Sequence, residues 1–162
     1  MIIGVAGKKQ VGKDTVAAYI AGQIGIKHVA FATKVKDVVG DVFGLDFFTL
    51  KGAEKEQHRP KMQFIGDGLR DFDALIWVKY LFRQFPDNIV ISDVRYPNEV
   101  DFIHSQGGYV IYISRDTGLV DNHRSETALE GCTDFDISIE NNGTLADLYN
   151  KVQLFLENTL QD

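Results

Sequence analysis

The sequence has 162 residues with 44% hydrophobic and 25% charged residues, a composition typical of one globular domain rather than of a disordered or fibrous chain. Its formal net charge of -6 argues against a protein that coats nucleic acid polymers, because such binding needs a broad basic surface. The sequence has one cysteine and four histidines without metal-ligand spacing, so we expect neither a disulfide nor a zinc site. No apolar stretch approaches the roughly 20 residues that a membrane-spanning helix needs. We therefore expect a cytoplasmic protein without a membrane anchor.

Five short apolar runs are predicted to be buried strands, at residues 2–5, 28–31, 88–92, 109–114 and 135–139. Between them, apolar residues return every three or four positions, which predicts helices. The clearest such series are Val16, Ile20 and Ile24, and Leu145, Leu148, Val152 and Phe155. Alternating strands and helices imply an α/β fold of three layers, in which five parallel strands are covered by helices on both faces. Thr144, with Asp147 three positions later, predicts the start of the last helix.

The longest interval between predicted strands holds helical patterns and no linker composition. We interpret residues 32–85, approximately, as a helical insertion in a single domain whose core comprises residues 1–31 and 86–162. In an open α/β sheet, ligands bind at the carboxyl ends of the strands. The functional residues are therefore expected in the loops that follow the strands.

The loop after the first predicted strand has the pattern of a phosphate-binding loop. From Gly7 to Lys13 it matches GxxxxGK, between a predicted strand and a predicted helix. Glycines let successive backbone N–H groups point at phosphate oxygens, and the start of the following helix adds positive partial charge. Lys13 would supply a full charge to the terminal phosphates. A glycine-rich turn with surface lysines is the structural alternative.

Two acidic residues are candidates for Mg²⁺ binding. Asp14 stands where this pattern ordinarily has a serine or threonine hydroxyl for Mg²⁺, and Thr15 follows it. A carboxylate there could bind Mg²⁺ directly or through water, or it could stabilise the start of the helix. Asp93, at the end of the third predicted strand, could hold Mg²⁺ or its waters opposite the loop, and Arg95 follows two residues later. A purely structural aspartate–arginine pair is the alternative.

These segments resemble the P-loop nucleoside monophosphate kinases, and in detail the deoxynucleoside monophosphate kinases of bacteriophages. The resemblance is carried by GKDT at the end of the loop, by FATKVK, by DVRYPNE, and by HRSE and ENNGTLADL further on. It implies ATP as phosphate donor, Mg²⁺ as cofactor and a small-molecule deoxynucleoside monophosphate as substrate. It also implies a short lid at about residues 115–126. Homodimer formation is left open.

The resemblance further implies roles for single residues. The donor nucleotide would contact Gly7, Lys8, Gln10, Val11, Gly12, Lys13, Asp14 and Thr15, with Asn142 near its adenine. The acceptor would contact Phe31, Lys36, Arg59, Gln63, Asp67, Arg70, Trp77, Asp93 and Arg95. Phosphoryl transfer mainly needs positioned positive charge around the transferred group. The residues expected to supply it are Lys13 and Arg95, with Arg115 and Arg124 from the lid.

Structural roles compete with several of these assignments. Trp77 belongs to an apolar stripe at helical spacing, which is more typical of a core than of a ligand platform. Each arginine could instead form a surface salt bridge, and a simple Asn-Gly turn explains Asn142 equally well. His123 and Glu126 are expected to organise the lid, with a solvated charge run as the alternative.

The sequence thus predicts a kinase that transfers the ATP γ-phosphate to a deoxynucleoside monophosphate. A P-loop kinase for another small phosphorylated metabolite, such as a coenzyme precursor or phosphomevalonate, is the alternative that the scaffold does not exclude. A nucleotide-dependent switch fits less well, because the sequence lacks an Asn-Lys-x-Asp guanine motif and reads DVRYPNE where a switch would have Asp-x-x-Gly. The accepted base and sugar depend on a few hydrogen bonds in the pocket.

Overall fold

The computed structural model describes residues 1–160. They form two compact units: a sheet unit, made of residues 1–29 and the residues from 87 onward, and a helical unit, residues 30–86. The strands are β1 (Ile2–Ala6), β2 (Lys27–Val29), β3 (Ile89–Val94), β4 (Tyr109–Ser114) and β5 (Ile137–Glu140). The helices are α1 (Lys13–Ile24), α2 (Phe31–Phe43), α3 (Gly52–Phe72), α4 (Ile76–Gln84), α5 (Pro97–Ser105), α6 (Arg124–Thr127) and α7 (Leu145–Thr159).

All five strands of the sheet unit are parallel, in the order β2-β3-β1-β4-β5. The central strand β1 is buried along its whole length, and most of β3 is buried too. Strands that are apolar on both faces suit a parallel sheet covered on both sides. The predicted five-stranded parallel sheet is therefore confirmed. Its second strand was predicted too long, because β2 ends at Val29 rather than at Phe31.

Helices cover both faces of this sheet. On one face, α1 and α7 pack over a core that includes Val5, Val16 and Val152, all fully buried. On the other face, Ile103 of α5 packs closely over Gly4 of β1, where an added Cβ would lie 2.7 Å from the Ile103 Cδ1. The predicted three-layer arrangement is confirmed.

Helix α7 begins where the sequence predicts. The Thr144 hydroxyl accepts a hydrogen bond from the Asp147 N–H at 3.2 Å, and the Asp147 carboxylate accepts one from the Thr144 N–H at 2.9 Å. This reciprocal pair satisfies two backbone donors that the helix itself leaves unpaired. Leu145, the first residue of the apolar series that predicts this helix, is 54% exposed. It lies in the first turn, before the buried residues begin at Leu148.

Three helices form the helical unit, which confirms the predicted helical character of this interval. In α2, Phe31, Val35 and Val39 are buried at intervals of four residues, which places them on one face of a helix. This spacing explains why Phe31 begins α2 instead of ending a strand. The Trp77 indole of α4 donates a hydrogen bond to the Gly66 carbonyl of α3 at 2.9 Å, which links these two helices.

Candidate active site

The loop between β1 and α1 has a backbone path that demands glycine at two positions. Gly7 has a φ of 138° and Gly12 a φ of 103°, in the region that residues with a side chain rarely adopt. A Cβ on Gly7 would clash with the carbonyl oxygen of Ile113, and one on Gly12 would lie 2.7 Å from Asn141 Nδ2. The loop therefore has the tight, glycine-dependent path of a phosphate cradle.

Asn141, the first residue after β5, holds this loop in place. Its side chain is buried, and its Nδ2 donates a hydrogen bond to the Val11 carbonyl oxygen at 2.8 Å. Asn142, the residue predicted near the adenine, is exposed, and its Oδ1 accepts a hydrogen bond from the Asp116 N–H at 3.3 Å. The sequence pointed to this asparagine pair, but only the packing of the loop against β5 distinguishes its two members.

Lys13 is the first residue of α1 and is buried, with 7% of its surface exposed. Its Nζ donates a hydrogen bond to the Lys8 carbonyl oxygen at 2.5 Å, so the side chain folds back over the loop. The pKa of Lys13 is lowered to about 8, first because burial disfavours the charged form and second because Arg95 is positive; three nearby carboxylates oppose this. An anionic phosphate would therefore find a poorly solvated cation at the loop.

Two of those carboxylates are the ones predicted to bind Mg²⁺. Asp14 is exposed in the first turn of α1, and Asp93 is half-buried, one residue before the end of β3. Both favour the charged form of Lys13 through their negative charge. Among residues 1–160, no group of three or more histidine, cysteine, aspartate or glutamate side chains could hold a metal ion by itself. One or two carboxylates with water and phosphate oxygens are what Mg²⁺ commonly takes, so the residues present fit this ion.

The remaining loop residues differ in exposure. Lys8 and Gln10 are exposed, Val11 is buried, and Thr15 is partly buried in the first turn of α1. Gln10 has a φ of 63°, a left-handed value that is uncommon outside glycine. The loop thus presents polar side chains to solvent while Val11 anchors it in the core.

Arg95 directly follows β3, and carboxylates hold both its backbone and its side chain. Glu99, 1% exposed in α5, accepts hydrogen bonds from the backbone N–H groups of Arg95 at 2.7 Å and of Tyr96 at 3.2 Å. The Arg95 guanidinium donates to Glu126 Oε2 at 2.6 Å. The same oxygen accepts a hydrogen bond from the Lys9 N–H of the loop, also at 2.6 Å. A single carboxylate therefore links Arg95 to the phosphate loop.

The segment predicted as a lid carries two exposed arginines. Arg115 directly follows β4, and Arg124 begins α6. The side chain of His123 caps α6 at its N-terminus. A further link between this region and the loop is the ion pair of Lys8 and Glu130 at 2.6 Å, whose hydrogen bond raises the pKa of Lys8.

In the helical unit, four predicted acceptor residues share one face of α3, because they follow one another at intervals of four, four and three residues. They are Arg59, Gln63, Asp67 and Arg70. Arg70 Nη1 lies 3.4 Å from Asp67 Oδ1, and the two side chains are 17% and 18% exposed. Arg59 lies well inside α3, which begins at Gly52 and ends at Phe72.

The other predicted acceptor residues of the helical unit have different surroundings. Phe31 and Trp77 are buried, at 2% and 4% exposed. Burial of Trp77 favours the core role that the sequence left as its alternative. Lys36 of α2 lines an open groove, where its Nζ lies 5.7 Å from the centre of the Phe48 ring.

A protein-family model described as deoxynucleotide monophosphate kinase matches residues 49–152, more than half of the sequence. The chain belongs to the deoxynucleotide monophosphate kinase family. A protein of Acanthamoeba polyphaga mimivirus, which carries this kinase name provisionally, is 30% identical over 99% of this chain and 98% of its own length. The deoxynucleotide monophosphate kinase of Enterobacteria phage T4 is 29% identical over 82% of this chain and 54% of its own length.

Solved structures agree with this family at the level of the fold. Dephospho-CoA kinase from Campylobacter jejuni superposes with a TM-score of 0.57 over 98% of this chain and 96% of its own, at 16% identity. At such identity the likeness shows the P-loop kinase fold alone. This family member is therefore a phosphotransferase with a nucleotide-binding loop, which transfers a phosphoryl group to a nucleotide. None of the helices within residues 1–160 has the length and apolar character to cross a membrane.

Sequence reasoning assigned no site role in this kinase to Lys9 or Glu99, and it considered Glu126 only as an organiser of the lid. It pointed to the loop of Asn141 and Asn142 but did not single out Asn141. Glu99 had a partial signal, because a proline followed two residues later by an acidic residue is typical of the first turn of a helix. No pattern in the sequence indicated the contacts of Glu126. They join residues that are 117 and 31 positions apart, so only the tertiary structure brings them together.

Proposed function

We propose that this kinase transfers the γ-phosphoryl group of ATP to a deoxynucleoside monophosphate, giving ADP and a deoxynucleoside diphosphate. The observation that carries the proposal is the buried ammonium of Lys13, held over a glycine-dependent loop at the start of α1. Membership of the deoxynucleotide monophosphate kinase family supports the choice of acceptor.

The donor would be bound through its phosphates. Backbone N–H groups of the loop and the N-terminus of α1 would hold the phosphate oxygens, with Lys13 on the terminal phosphates. Lys8, Gln10 and Thr15 would add polar contacts. Asn142 is exposed after β5 and would approach the adenine.

Asp14 and Asp93 would hold Mg²⁺. When bound, this ion supplies positive charge that offsets the charge of the donor phosphates. The role of Asp14 follows from its position directly after Lys13, and that of Asp93 from its position next to the end of β3. The capping role of Asp14 at the start of α1 is compatible with this one, because an acidic first-turn residue also stabilises the helix.

The acceptor would contact the face of α3 defined by Arg59, Gln63, Asp67 and Arg70. Arginine suits a phosphate because its planar fork donates two parallel hydrogen bonds. Gln63 and Asp67 offer the donors and acceptors that base or sugar recognition needs. Lys36 and Arg95 would add positive charge near the acceptor, and Asp93 would make a polar contact with it. Phe31 and Trp77, both buried, would support this region through packing.

The reaction needs no side-chain nucleophile. An oxygen of the acceptor phosphate attacks the γ-phosphorus, and the bond from the γ-phosphorus to the bridging oxygen of ADP breaks. Lys13 and Arg95 stabilise the charge that develops, and Arg115 and Arg124 of the lid would close on the transferred group. Closure excludes water that would otherwise hydrolyse ATP. In this proposal the chain acts as one domain with a core of residues 1–31 and 86–162 and an insertion of about 32–85.

The test is ADP release from ATP and Mg²⁺ with each of the four deoxynucleoside monophosphates and each ribonucleotide counterpart, with the acceptor-free rate as baseline. Chromatography of the products identifies the nucleoside diphosphate formed. We expect ADP release to depend on at least one deoxynucleotide, with one diphosphate produced per ADP. ADP release that no nucleotide stimulates would overturn the proposed acceptor and point to another phosphorylated metabolite.

A further inference from the structure

Glu126 is a buried carboxylate that the proposed reaction does not use. It lies in α6 and is 5% exposed. Its Oε2 accepts hydrogen bonds from the Lys9 N–H and from the Arg95 guanidinium, both at 2.6 Å. The carboxylate of a segment predicted to move is therefore bound to a backbone N–H of the phosphate loop.

These two donors are of the kind that phosphate-binding loops offer to a phosphate. A carboxylate oxygen and a phosphate oxygen are both anionic acceptors that form short charge-assisted hydrogen bonds with amides and arginines. Burying a carboxylate is costly unless it is paired, and this one is paired by a cation and an amide. Because like charges repel strongly in a poorly solvated site, Glu126 and a phosphate oxygen cannot occupy this position together.

The surroundings of Glu126 hold it against the loop. Lys8 and Glu130 make a second link between the loop and the segment after α6, at 2.6 Å. The cleft lined by Gly7, Arg95, Glu126 and their neighbours has a cavity volume of about 10 Å³. Ligand pockets commonly have about 300–1,000 Å³. The segment therefore leaves less room over the loop than a nucleotide site usually has.

We propose that Glu126 is an internal substitute for a nucleotide phosphate. In the nucleotide-free kinase its carboxylate occupies an anion position of the loop, and the donor nucleotide displaces it. Displacement frees the Lys9 N–H for the donor and releases Arg95 and α6 from the loop. The inference rests on the proposed function, since it takes the loop as the donor site. Arg95 consequently becomes available to phosphate only after the donor has bound.

The first test is calorimetric titration with ATP in EDTA, which removes any contribution from Mg²⁺. Glu126→Gln keeps the shape of the side chain and removes its charge, so we expect ATP to bind about tenfold more tightly than to the wild type. The melting temperature of the variant should fall, because Arg95 loses its buried partner. Tighter binding together with lower stability is a combination that a merely structural glutamate would not produce.

Glu130→Gln is the matched control. It makes the same charge change in the same region, but both partners of the Lys8–Glu130 pair are more than half exposed. We expect its affinity for ATP to stay within about twofold of the wild type, because exposed ion pairs are weak. If ATP binds Glu126→Gln no more tightly than it binds the wild type and Glu130→Gln, Glu126 does not compete with the donor.

Hydrogen exchange of the wild-type protein gives a second readout that does not depend on a variant. On addition of ATP, we expect amides of residues 7–15 to become protected and amides of residues 121–130 to lose protection. Protection of both segments would contradict displacement of Glu126. Failure of ATP to bind or to protect the loop would overturn the donor site and this inference with it, whereas loop protection without release of residues 121–130 would overturn only the inference.

Discussion

The phosphate loop and the face of α3 are both rich in charge, but they are built in different ways. In the loop, the backbone determines the geometry, through two glycines with positive φ and a carbonyl held by Asn141. On α3, an ordinary helix presents side chains at regular spacing, with Arg70 and Asp67 paired and mostly buried. A backbone site holds any group that carries phosphate oxygens, whereas a side-chain site can distinguish one acceptor from another. The two regions should therefore respond differently to mutation.

The largest effect is expected in the loop. Lys13→Ala removes the buried cation and should lower kcat by about 10²–10³-fold, because the charge of the transition state loses its closest partner. Coupled ADP release measures the rate, and the melting temperature shows whether the fold is kept. Lys8→Ala is the control, since this lysine is exposed in the same loop. Equal losses in the two variants would contradict a special role for the buried lysine.

The dependence of the loop on its backbone can be tested at Gly7. Gly7→Ala places a Cβ against the Ile113 carbonyl at a φ of 138°, so we expect a loss of more than about 2 kcal/mol in the free energy of unfolding. Urea denaturation measures it. Gly22→Ala is the matched control, because Gly22 lies exposed in α1 with open space around it, and it should stabilise by about 0.5–1 kcal/mol. If Gly7→Ala left the free energy of unfolding unchanged, the loop would be able to relax around the added Cβ.

Mutations on the face of α3 should weaken binding of the acceptor and leave the fold intact. Arg70→Ala should raise the KM for the acceptor by about 10–100-fold, the cost of losing charge-assisted hydrogen bonds, while the KM for ATP stays the same. Arg83→Ala removes an exposed arginine of the same unit and should leave both values unchanged. An unchanged acceptor KM in Arg70→Ala would assign this arginine to its ion pair with Asp67 alone.

The pKa of Lys13 predicts how the loop responds to pH. Because this pKa is about 8, Lys13 is charged below pH 8 and progressively neutral above it. Among its neighbours, the positive charge of Arg95 lowers this pKa, and the negative charges of Glu126, Asp93 and Asp14 raise it. Anionic ATP prefers the charged form, so its Kd in EDTA should rise about tenfold from pH 7 to pH 9. Over the same pH range, the KM for the acceptor should change less than the Kd for ATP. Lys13→Arg stays charged at pH 9 and should flatten this dependence.

The smallest effect on catalysis is expected for Trp77. Trp77→Phe removes the hydrogen bond from the indole to the Gly66 carbonyl and should cost about 1 kcal/mol of stability. Since Trp77 is buried, the KM for the acceptor should change by less than about twofold. Thermal denaturation and steady-state kinetics of the same preparation check both values. A large rise in the acceptor KM without a loss of stability would make Trp77 a ligand contact.

Local patterns were enough to predict several parts of this protein. The phosphate loop, the parallel strands and the start of α7 each depend on residues that lie within a few positions of one another. Gly12 and Lys13 flank the beginning of a helix, and Thr144 and Asp147 cap another. Such features follow from backbone conformations and short spacings that one sequence displays directly.

The tertiary structure alone decided which distant residues meet. Asn141 rather than Asn142 contacts the loop, and Glu126 joins Lys9 and Arg95, because β5 and α6 are brought to the end of the sheet where the loop lies. The burial of Lys13, and hence its lowered pKa, likewise depends on what packs over it. Hydrophobic periodicity specifies which face of an element is buried but not which polar side chains from separate elements come within hydrogen-bond distance. The sequence therefore determined the kind of site, and the packing determined how its charges are paired.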